Sequence, residues 1–275
     1  MKQDELMLWS WEKEYSKVQV EKIIKILVKN HIVTKQHGYI SLVNREEYIG
    51  QRRERERISQ KKIEKAKQIS RWISLIPTVY FIGVTGAVAV GNAGIDDDID
   101  VCIFAKKGTV WVTRLLTTVV VEIVAVRRHP NDREALVSNA ICLNMFLAED
   151  ALAMPIAKRD IYTAHEVLQM VPLIDKGNIY QEFLKMNTWV ERFLPSAWKV
   201  VKKHKQKQTP MGYDMMARVL ERGAREIQKW YMKRRMTKEV VSDTVIRFHP
   251  RDARVSTLRN LKKKLESYKI SFTKK

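Results

Sequence analysis

Residues 83–104 read GVTGAVAVGNAGIDDDIDVCIF and place a small-residue turn and three consecutive aspartates between two apolar runs. The run before the turn, VYFIGV at 79–84, is typical of a buried strand, and DIDVCIF at 98–104 indicates a second strand. Side chains two residues apart on a strand point to the same face. We therefore expect Asp98 and Asp100 to project together.

The turn before the aspartates contains the pair Gly86-Ala87. A glycine lets backbone amides come close to a phosphate because no Cβ intervenes, and the amides that open a following helix lack acceptors of their own. Two carboxylates on one face chelate Mg²⁺ or Mn²⁺, which also bridge phosphate oxygens. The spacing thus indicates a site for a metal ion and a nucleoside triphosphate (NTP), whose phosphates would contact Thr85, Gly86 and Ala87.

This segment resembles the signature of the DNA polymerase β-like nucleotidyltransferases, which reads Gly-Ser, ten residues, then Asp-x-Asp. The counterpart here is Gly86-Ala87, ten residues, then Asp98-Ile99-Asp100, and Gly91 and Ala93 match the family's small residues in between. The resemblance covers residues 78–155. It implies a nucleotidyltransferase core in which the two aspartates bind catalytic Mg²⁺ or Mn²⁺ and an NTP is the substrate.

Two positions depart from that pattern. Ala87 stands where the family usually has serine, so a hydroxyl contact to the triphosphate is missing unless Thr85 or backbone amides replace it. A third carboxylate often lies on the third strand, and the residue expected there is Asn144, whose amide can coordinate a metal but cannot accept a proton. Either Glu149 or Asp150 at that strand's end serves instead, or two acids suffice, or the domain has lost its activity.

The charge distribution indicates a polyanionic partner. The chain carries a net charge of +20, yet residues 76–155 carry −3, whereas residues 51–75 carry +6 and residues 156–275 carry +16. Phosphates attract lysine and arginine while metals need carboxylates, so basic flanks around an acidic centre fit a protein that binds nucleic acid and divalent ions. We expect a nucleic acid acceptor, with RNA favoured.

A helix predicted between Tyr213 and Arg235 carries part of this charge. Its apolar residues at helical spacing predict a buried face formed by Tyr213, Met216, Leu220, Ile227 and Tyr231. Another face carries basic residues at spacings of four, three and four, namely Arg218, Arg222, Arg225 and Lys229. This basic stripe is the predicted nucleic-acid-binding site. The alternatives are a solubilising face, or internal pairing with Glu221 and Glu226.

Composition argues against several other classes of protein. Cys102 and Cys142 each lie inside an apolar run, which indicates buried reduced thiols rather than a disulfide framework or a zinc site. The apolar stretch 109–126 contains Arg114 and Glu122, so a helix packed on a sheet is expected instead of a membrane span. The N-terminus has early acids and no continuous apolar run, so we expect a cytoplasmic protein without a signal peptide.

Four units are predicted, and the predicted fold class is α+β with a mixed sheet at its core. A helix at 16–29 and a hairpin around Gln36-His37-Gly38 indicate a winged-helix-like module over residues 1–45. The other units are a charged linker helix, the nucleotidyltransferase core and a basic helical domain, at residues 46–77, 78–155 and 156–275.

The leading functional prediction is metal-dependent transfer of a nucleoside monophosphate from an NTP to an acceptor hydroxyl on nucleic acid. Two alternatives stay open. One is a nucleic-acid-binding or regulatory protein whose core has lost catalysis, which Ala87 and Asn144 would suit. The other is an enzyme that nucleotidylates a protein or a small molecule, with the basic surface serving an acidic partner.

Overall fold

The N-terminal part of the chain forms a small helix-and-hairpin unit. The computed structural model describes residues 1–129, 138–203, 217–233, 240–247 and 253–268, apart from the side chain of residue 218. The unit contains α1, α2, β1 and β2, at Gln3–Leu8, Lys17–Lys29, Val33–Gln36 and Tyr39–Leu42. Ser16 caps α2, because its Oγ accepts from the Gln19 amide and the Gln19 side chain accepts from the Ser16 amide. The predicted helix and hairpin are confirmed, while a winged-helix role for them stays a prediction.

One long helix, α3 (Glu47–Ile73), follows the hairpin. Its exposed face carries close ion pairs such as Arg57 with Glu54, as predicted for a linker. Ala66, Ile69 and Ile73 on the opposite face are buried, and they pack in one hydrophobic core with the strands of the central sheet. The predicted long helix is confirmed, and so is its amphipathic second half, because the aligned residues Ala66, Ile69 and Ile73 are the ones it buries. That residues 46–77 form a linker between separate units stays a prediction.

The centre of the molecule is a six-stranded mixed sheet with the strand order β6-β3-β4-β5-β8-β7. In chain order its strands β3 to β8 are Val79–Val84, Ile99–Ala105, Ile141–Ala148, Val171–Asp175, Val240–Val241 and Val245–Arg247. The pair β4–β5 is parallel and the other neighbouring pairs are antiparallel. The α+β class with a mixed sheet is confirmed, and the strand before the glycine turn has the predicted bounds.

The prediction that the chain is helical beyond Pro155 is wrong, because three of the six strands come from that part of the chain. The strand β6 contains Pro172, which an edge strand tolerates but which argues against a strand in the sequence. The helix predicted between Tyr213 and Arg235 is present as Ala217–Lys233, before the last two strands. The remaining helices, α4 to α10, are Gly86–Ala89, Val110–Val124, Ile161–Leu168, Ile179–Met186, Pro195–Val201, Ala217–Lys233 and Ala253–Ser267.

Helices cover both faces of the sheet. Alternate residues of β4 point to opposite sides, so Val101 and Ile103 pack with α3, α5 and α9, whereas Cys102 and Phe104 pack with α6, α7 and α8. The helix predicted for the apolar stretch 109–126 is α5, and it lies between the sheet and α9. Across the described ranges, no helix combines the length and apolar character that crossing a membrane requires.

The packing of α9 differs from its predicted buried face. The helix meets α5 through small and polar residues, Ala217, Ala224 and Gln228, and the Glu221 carboxylate accepts hydrogen bonds from the backbone amides of residues 111 and 112. Three residues that were predicted to be buried are each more than half exposed, namely Leu220, Ile227 and Tyr231. Residues 213 and 216 of that predicted face lie outside the described ranges.

Candidate metal centre

Asp98 and Asp100 lie where the loop after the glycine turn enters β4, and both are partly buried. The pairing of β3 with β4 brings the turn alongside them, because the Thr85 amide donates to the Asp100 carbonyl oxygen at 3.0 Å. By the alternation of β4, the Asp100 side chain is on the same side as Cys102, facing α6 to α8. The two acids and the turn are thus together, as predicted.

Gly86 lies directly against the Asp100 carboxylate. It has a φ of +66°, in the left-handed region, and a Cβ built on it would come 2.7 Å from Asp100 Oδ2. The residues beside it differ in exposure, since Thr85 is buried and Ala87 is exposed. The helix α4 that follows is a single turn, so its backbone amides rather than a helix dipole are what it offers to a phosphate.

The neighbouring strand β5 adds two side chains. Asn144 is buried, and its Nδ2 donates to Asp100 Oδ1 at 2.7 Å, which places it beside the acids as predicted. Its Oδ1 is buried without a hydrogen-bond partner among the described residues. Cys142 is the register partner of Asp100, and one ligating atom from each of Asp98, Asp100 and Cys142 lies within 4.8 Å of the other two. This group can hold a metal ion.

Cys142 was missed by sequence reasoning, which treated it as a buried structural thiol. Cys102 is buried as predicted, whereas Cys142 is only partly buried. A signal was available, because Cys142 and Asn144 are two residues apart on one strand and share a face. A prediction that places Asn144 in the site therefore also places Cys142 there.

Glu149 and Asp150 do not complete the site. The strands β4 and β5 are parallel, and Asp100 and Cys142 pair near the start of both, so the end of β5 lies about 20 Å away at the opposite edge of the sheet. There the Lys107 amide donates to Glu149 Oε1 at 3.1 Å, and Lys107 Nζ lies 3.3 Å from Asp150 Oδ2. The suggestion that either acid replaces the third carboxylate is wrong.

The two aspartates differ in their electrostatic surroundings. Burial raises the pKa of Asp100 to about 7, and the Asp98 carboxylate adds to the rise, while the Cys142 thiol and Arg128 oppose it. Asp98 forms an ion pair with Arg128 through Oδ2 and Nη1. The site thus concentrates negative charge in a poorly solvated place, and Arg128 balances part of it.

No family model, no curated protein and no solved structure matches this chain. The positions and contacts of the chain's own residues define the candidate site. Among these, the support of the aspartate loop by α3 is a further feature that sequence reasoning missed.

Lys62 of α3 holds the loop that precedes the acids. Its buried ammonium donates to the carbonyl oxygens of Ile95 at 3.1 Å and Asp97 at 2.5 Å, and to Asn139 Oδ1 at 3.1 Å. Burial lowers the pKa of Lys62, while Asp97 and then Asp98 oppose that effect. Because Asp97 precedes Asp98 directly, this clamp fixes where β4 begins.

Two further residues of α3 hold the small-residue part of the same loop. Ser59 Oγ accepts from the Ala93 amide at 3.0 Å, and Arg52 donates to the Gly91 carbonyl oxygen. The match of Gly91 and Ala93 to the small family positions thus coincides with close contacts to α3. Ala93 is fully buried, so a large side chain at that position would separate the helix from the loop.

A cavity of about 700 Å³ lies beside the glycine turn. Its walls are mostly apolar and include Ala89 and Val90 at the end of α4, Val171 and Pro172 at the start of β6, and Trp9. Asp98 and Asp100 do not line it. The cavity is large enough for a small organic ligand.

The basic stripe of α9 is not near the acids, because α9 packs on the face of the sheet opposite to that of Asp100. Arg222 is exposed, Arg225 pairs with Glu226 at 3.0 Å and Asp243 at 3.1 Å, and Lys229 Nζ lies 5.5 Å from the Trp111 ring centroid. The side chain of Arg218 lies outside the described part. The predicted internal pairing is thus present for Arg225.

Proposed function

We propose that this chain is a metal-dependent nucleotidyltransferase with the polymerase β-like fold, which moves a nucleoside monophosphate from an NTP to an acceptor hydroxyl. The observation that carries the proposal is the contact of Gly86 with the Asp100 carboxylate, beside Asp98. It brings a turn without side-chain bulk to the place where a metal would meet phosphates. The positive φ of Gly86 favours glycine whatever the loop does, so what supports the proposal is the position of this turn beside both acids.

The donor set suits a divalent cation. Asp98 and Asp100 supply carboxylates, and Asn144 Oδ1 is a buried oxygen that lacks a partner among the described residues. Mg²⁺ or Mn²⁺ held there would neutralise triphosphate oxygens and favour ionisation of the acceptor hydroxyl. We expect the ion to compete with Arg128 for Asp98.

The residues of the chain act mainly by positioning. Asp98 and Asp100 hold the metal, Gly86 and the backbone of Ala87 receive the β- and γ-phosphates, and Lys62 keeps the aspartate loop in place. The acceptor oxygen bonds to the α-phosphorus, the bond to the β-phosphate oxygen breaks, and pyrophosphate leaves. The hydroxyl proton passes to water, because the Asn144 amide cannot accept it. Such an in-line displacement depends mostly on position and charge neutralisation.

Two features support a nucleic acid acceptor and a nucleoside donor. The net charge of +20, with +16 over residues 156–275, favours a polyanion. The apolar cavity beside α4 offers space in which a base can be shielded from water. We propose RNA as the acceptor. A protein acceptor is an alternative that the assay described below also tests.

A second candidate is a regulatory nucleic-acid-binding protein without catalysis. The observation that favours it is that both acids already have partners, since Asn144 Nδ2 donates to Asp100 and Arg128 pairs with Asp98. A site of this kind keeps its shape without a metal. It would bind nucleic acid through the basic surface and transfer nothing.

A transfer assay separates these candidates. The full chain is incubated with each α-labelled NTP, Mg²⁺ or Mn²⁺, and total RNA or a protein extract, and the labelled product class is identified. Label on RNA supports the proposal, and label on protein moves the acceptor to that class. If none of the four NTPs labels any acceptor fraction in a metal-dependent way, the non-catalytic candidate is favoured.

A further inference from the structure

We infer that Cys142 is a metal ligand together with Asp98 and Asp100, and that the centre therefore binds thiophilic divalent ions such as Co²⁺, Zn²⁺ or Cd²⁺ in preference to Mg²⁺. The inference deepens the proposed function, on which it rests for the identity of the site. It concerns a residue for which the family signature gives no role.

The register of the sheet brings the thiol to the acids. Cys142 lies opposite Asp100 on the adjacent parallel strand, so the two side chains leave the same face of the sheet. The ligating atoms of Asp98, Asp100 and Cys142 lie within 4.8 Å of one another, close enough to share one ion after small side-chain rotations.

A second observation points to a ligand at this cluster. Asn144 is 3 % exposed, and its amide group lies against Asp100 through the bond from Nδ2. Its Oδ1 has no hydrogen-bond partner in the described part of the chain, and an unpaired buried acceptor is unfavourable. A metal ion or its bound water beside Asp100 would satisfy that oxygen. The ligating atoms of the cluster are thus two carboxylates and one sulfur, with the Asn144 amide group directly beside Asp100.

The chemistry of these donors decides which ion they prefer. Mg²⁺ favours six oxygen ligands in a strict octahedron, whereas a thiolate suits Zn²⁺ and related ions in four-coordinate sites. Binding of such an ion replaces the proton of the Cys142 thiol, which is released to water as the metal–sulfur bond forms. The acids that could have supplied a third oxygen, Glu149 and Asp150, lie at the opposite edge of the sheet.

Cobalt spectroscopy tests the ligand directly. The full chain, reduced with a phosphine, is titrated with Co²⁺, and we expect a thiolate-to-cobalt charge-transfer band in the near ultraviolet. Cys142→Ser removes the band, whereas Cys102→Ser, which changes the chain's other cysteine, keeps it. Circular dichroism of each variant shows whether it is folded. If Cys142→Ser does not fold, Cys142→Asp replaces it, and this variant must also lose the band.

Metal competition gives a second readout. We expect Zn²⁺ or Cd²⁺ to displace Co²⁺ far more effectively than Mg²⁺ does. Cys142→Asp should weaken Cd²⁺ binding at least about tenfold, the scale on which metal-site changes act, and should strengthen Mg²⁺ binding. Proton release on Cd²⁺ binding should fall in the same variant.

The outcomes separate this inference from the proposed function. Absence of the cobalt band in the wild type, or its persistence in Cys142→Ser, overturns the thiolate ligand even if NTP transfer is observed. A band that depends on Cys142 supports the ligand even if the transfer assay fails with all NTPs and acceptors. In that second case the proposed transfer falls and the metal centre stands.

Discussion

Gly86 and Asp100 are in close contact, and a Cβ at position 86 would come 2.7 Å from Asp100 Oδ2, so the carboxylate would have to move to admit any other residue. The positive φ of Gly86 adds a second reason for glycine. The backbone conformation and the nearby carboxylate thus both favour glycine at position 86. The shape of the turn and the position of Asp100 therefore depend on each other.

Gly86→Ala tests this dependence of the Asp100 position on glycine at position 86. We expect a loss of about 1–2 kcal/mol in the free energy of unfolding from the left-handed conformation alone, and a larger loss of metal affinity because the Cβ displaces Asp100. Gly94→Ala is the matched control, because its Cβ would meet nothing closer than 3.7 Å, at Asp97. Thermal unfolding and Mn²⁺ titration measure both effects, and equal behaviour of the two variants would contradict the account.

Lys62→Met tests the clamp on the aspartate loop. Three acceptors would lose a buried donor, so we expect a cost of about 3 kcal/mol in unfolding free energy and weaker metal binding. The neighbouring residue Lys61 is exposed, and Lys61→Met should change neither quantity. Denaturant unfolding of both variants with and without Mn²⁺ measures the difference. A Lys62→Met variant with wild-type metal affinity would show that the loop keeps its position unaided.

The central pair of the site was predictable because it depends on local geometry. Asp98 directly precedes β4 and Asp100 is its second residue, and the glycine turn is close to both in the chain. Cys142 could be inferred from Asn144, which lies two residues further along β5 on the same face, but its direct pairing with Asp100 depends on the register of β5 against β4. Glu149 and Asp150 were one alternative for the third carboxylate because they follow the strand that carries Asn144, but β5 runs parallel to β4 and its end lies at the opposite end of the sheet from Asp100.

The errors in the fold have similar physical causes. The strand β6 was missed because Pro172 is a strand breaker everywhere except at an edge or a bulge, and β6 is an edge strand. The buried face of α9 was predicted from its large apolar residues, yet Ala217 and Ala224 allow close approach to α5. Hydrogen bonds from Gln228 and to Glu221 complete that contact.

Asn144→Asp probes the place of the third carboxylate. The present amide donates to Asp100 at 2.7 Å, so a carboxylate there would repel Asp100 when no cation is bound. We expect a lower melting temperature in EDTA, a larger rise on adding Mn²⁺, and tighter Mn²⁺ binding than in the wild type. Differential scanning fluorimetry measures all three. An unchanged response to Mn²⁺ would remove Asn144 from the metal site.

Reversing Arg222 and Arg225 to Glu tests the basic face of α9. If this face binds a nucleic acid backbone, affinity for RNA should fall for all sequences alike and should lose part of its salt dependence, while NTP binding is unchanged. Arg225→Glu alone is the control for folding, because it breaks the pairs with Glu226 and Asp243. Filter binding across a salt series measures the effect. RNA affinity that survives the double reversal would leave α9 without this role.

The central claim is that Asp98 and Asp100 hold the ion that nucleotidyl transfer requires. The most direct measurement compares label transfer from α-labelled NTP by Asp98→Asn and Asp100→Asn with that by Asp96→Asn, an exposed acid of the same loop. We predict that both site variants stay folded and lose transfer by at least about 10³-fold, since a neutral amide cannot replace a carboxylate ligand. Asp96→Asn should keep wild-type transfer. Wild-type turnover in Asp98→Asn or Asp100→Asn, with unchanged metal dependence, would contradict the account.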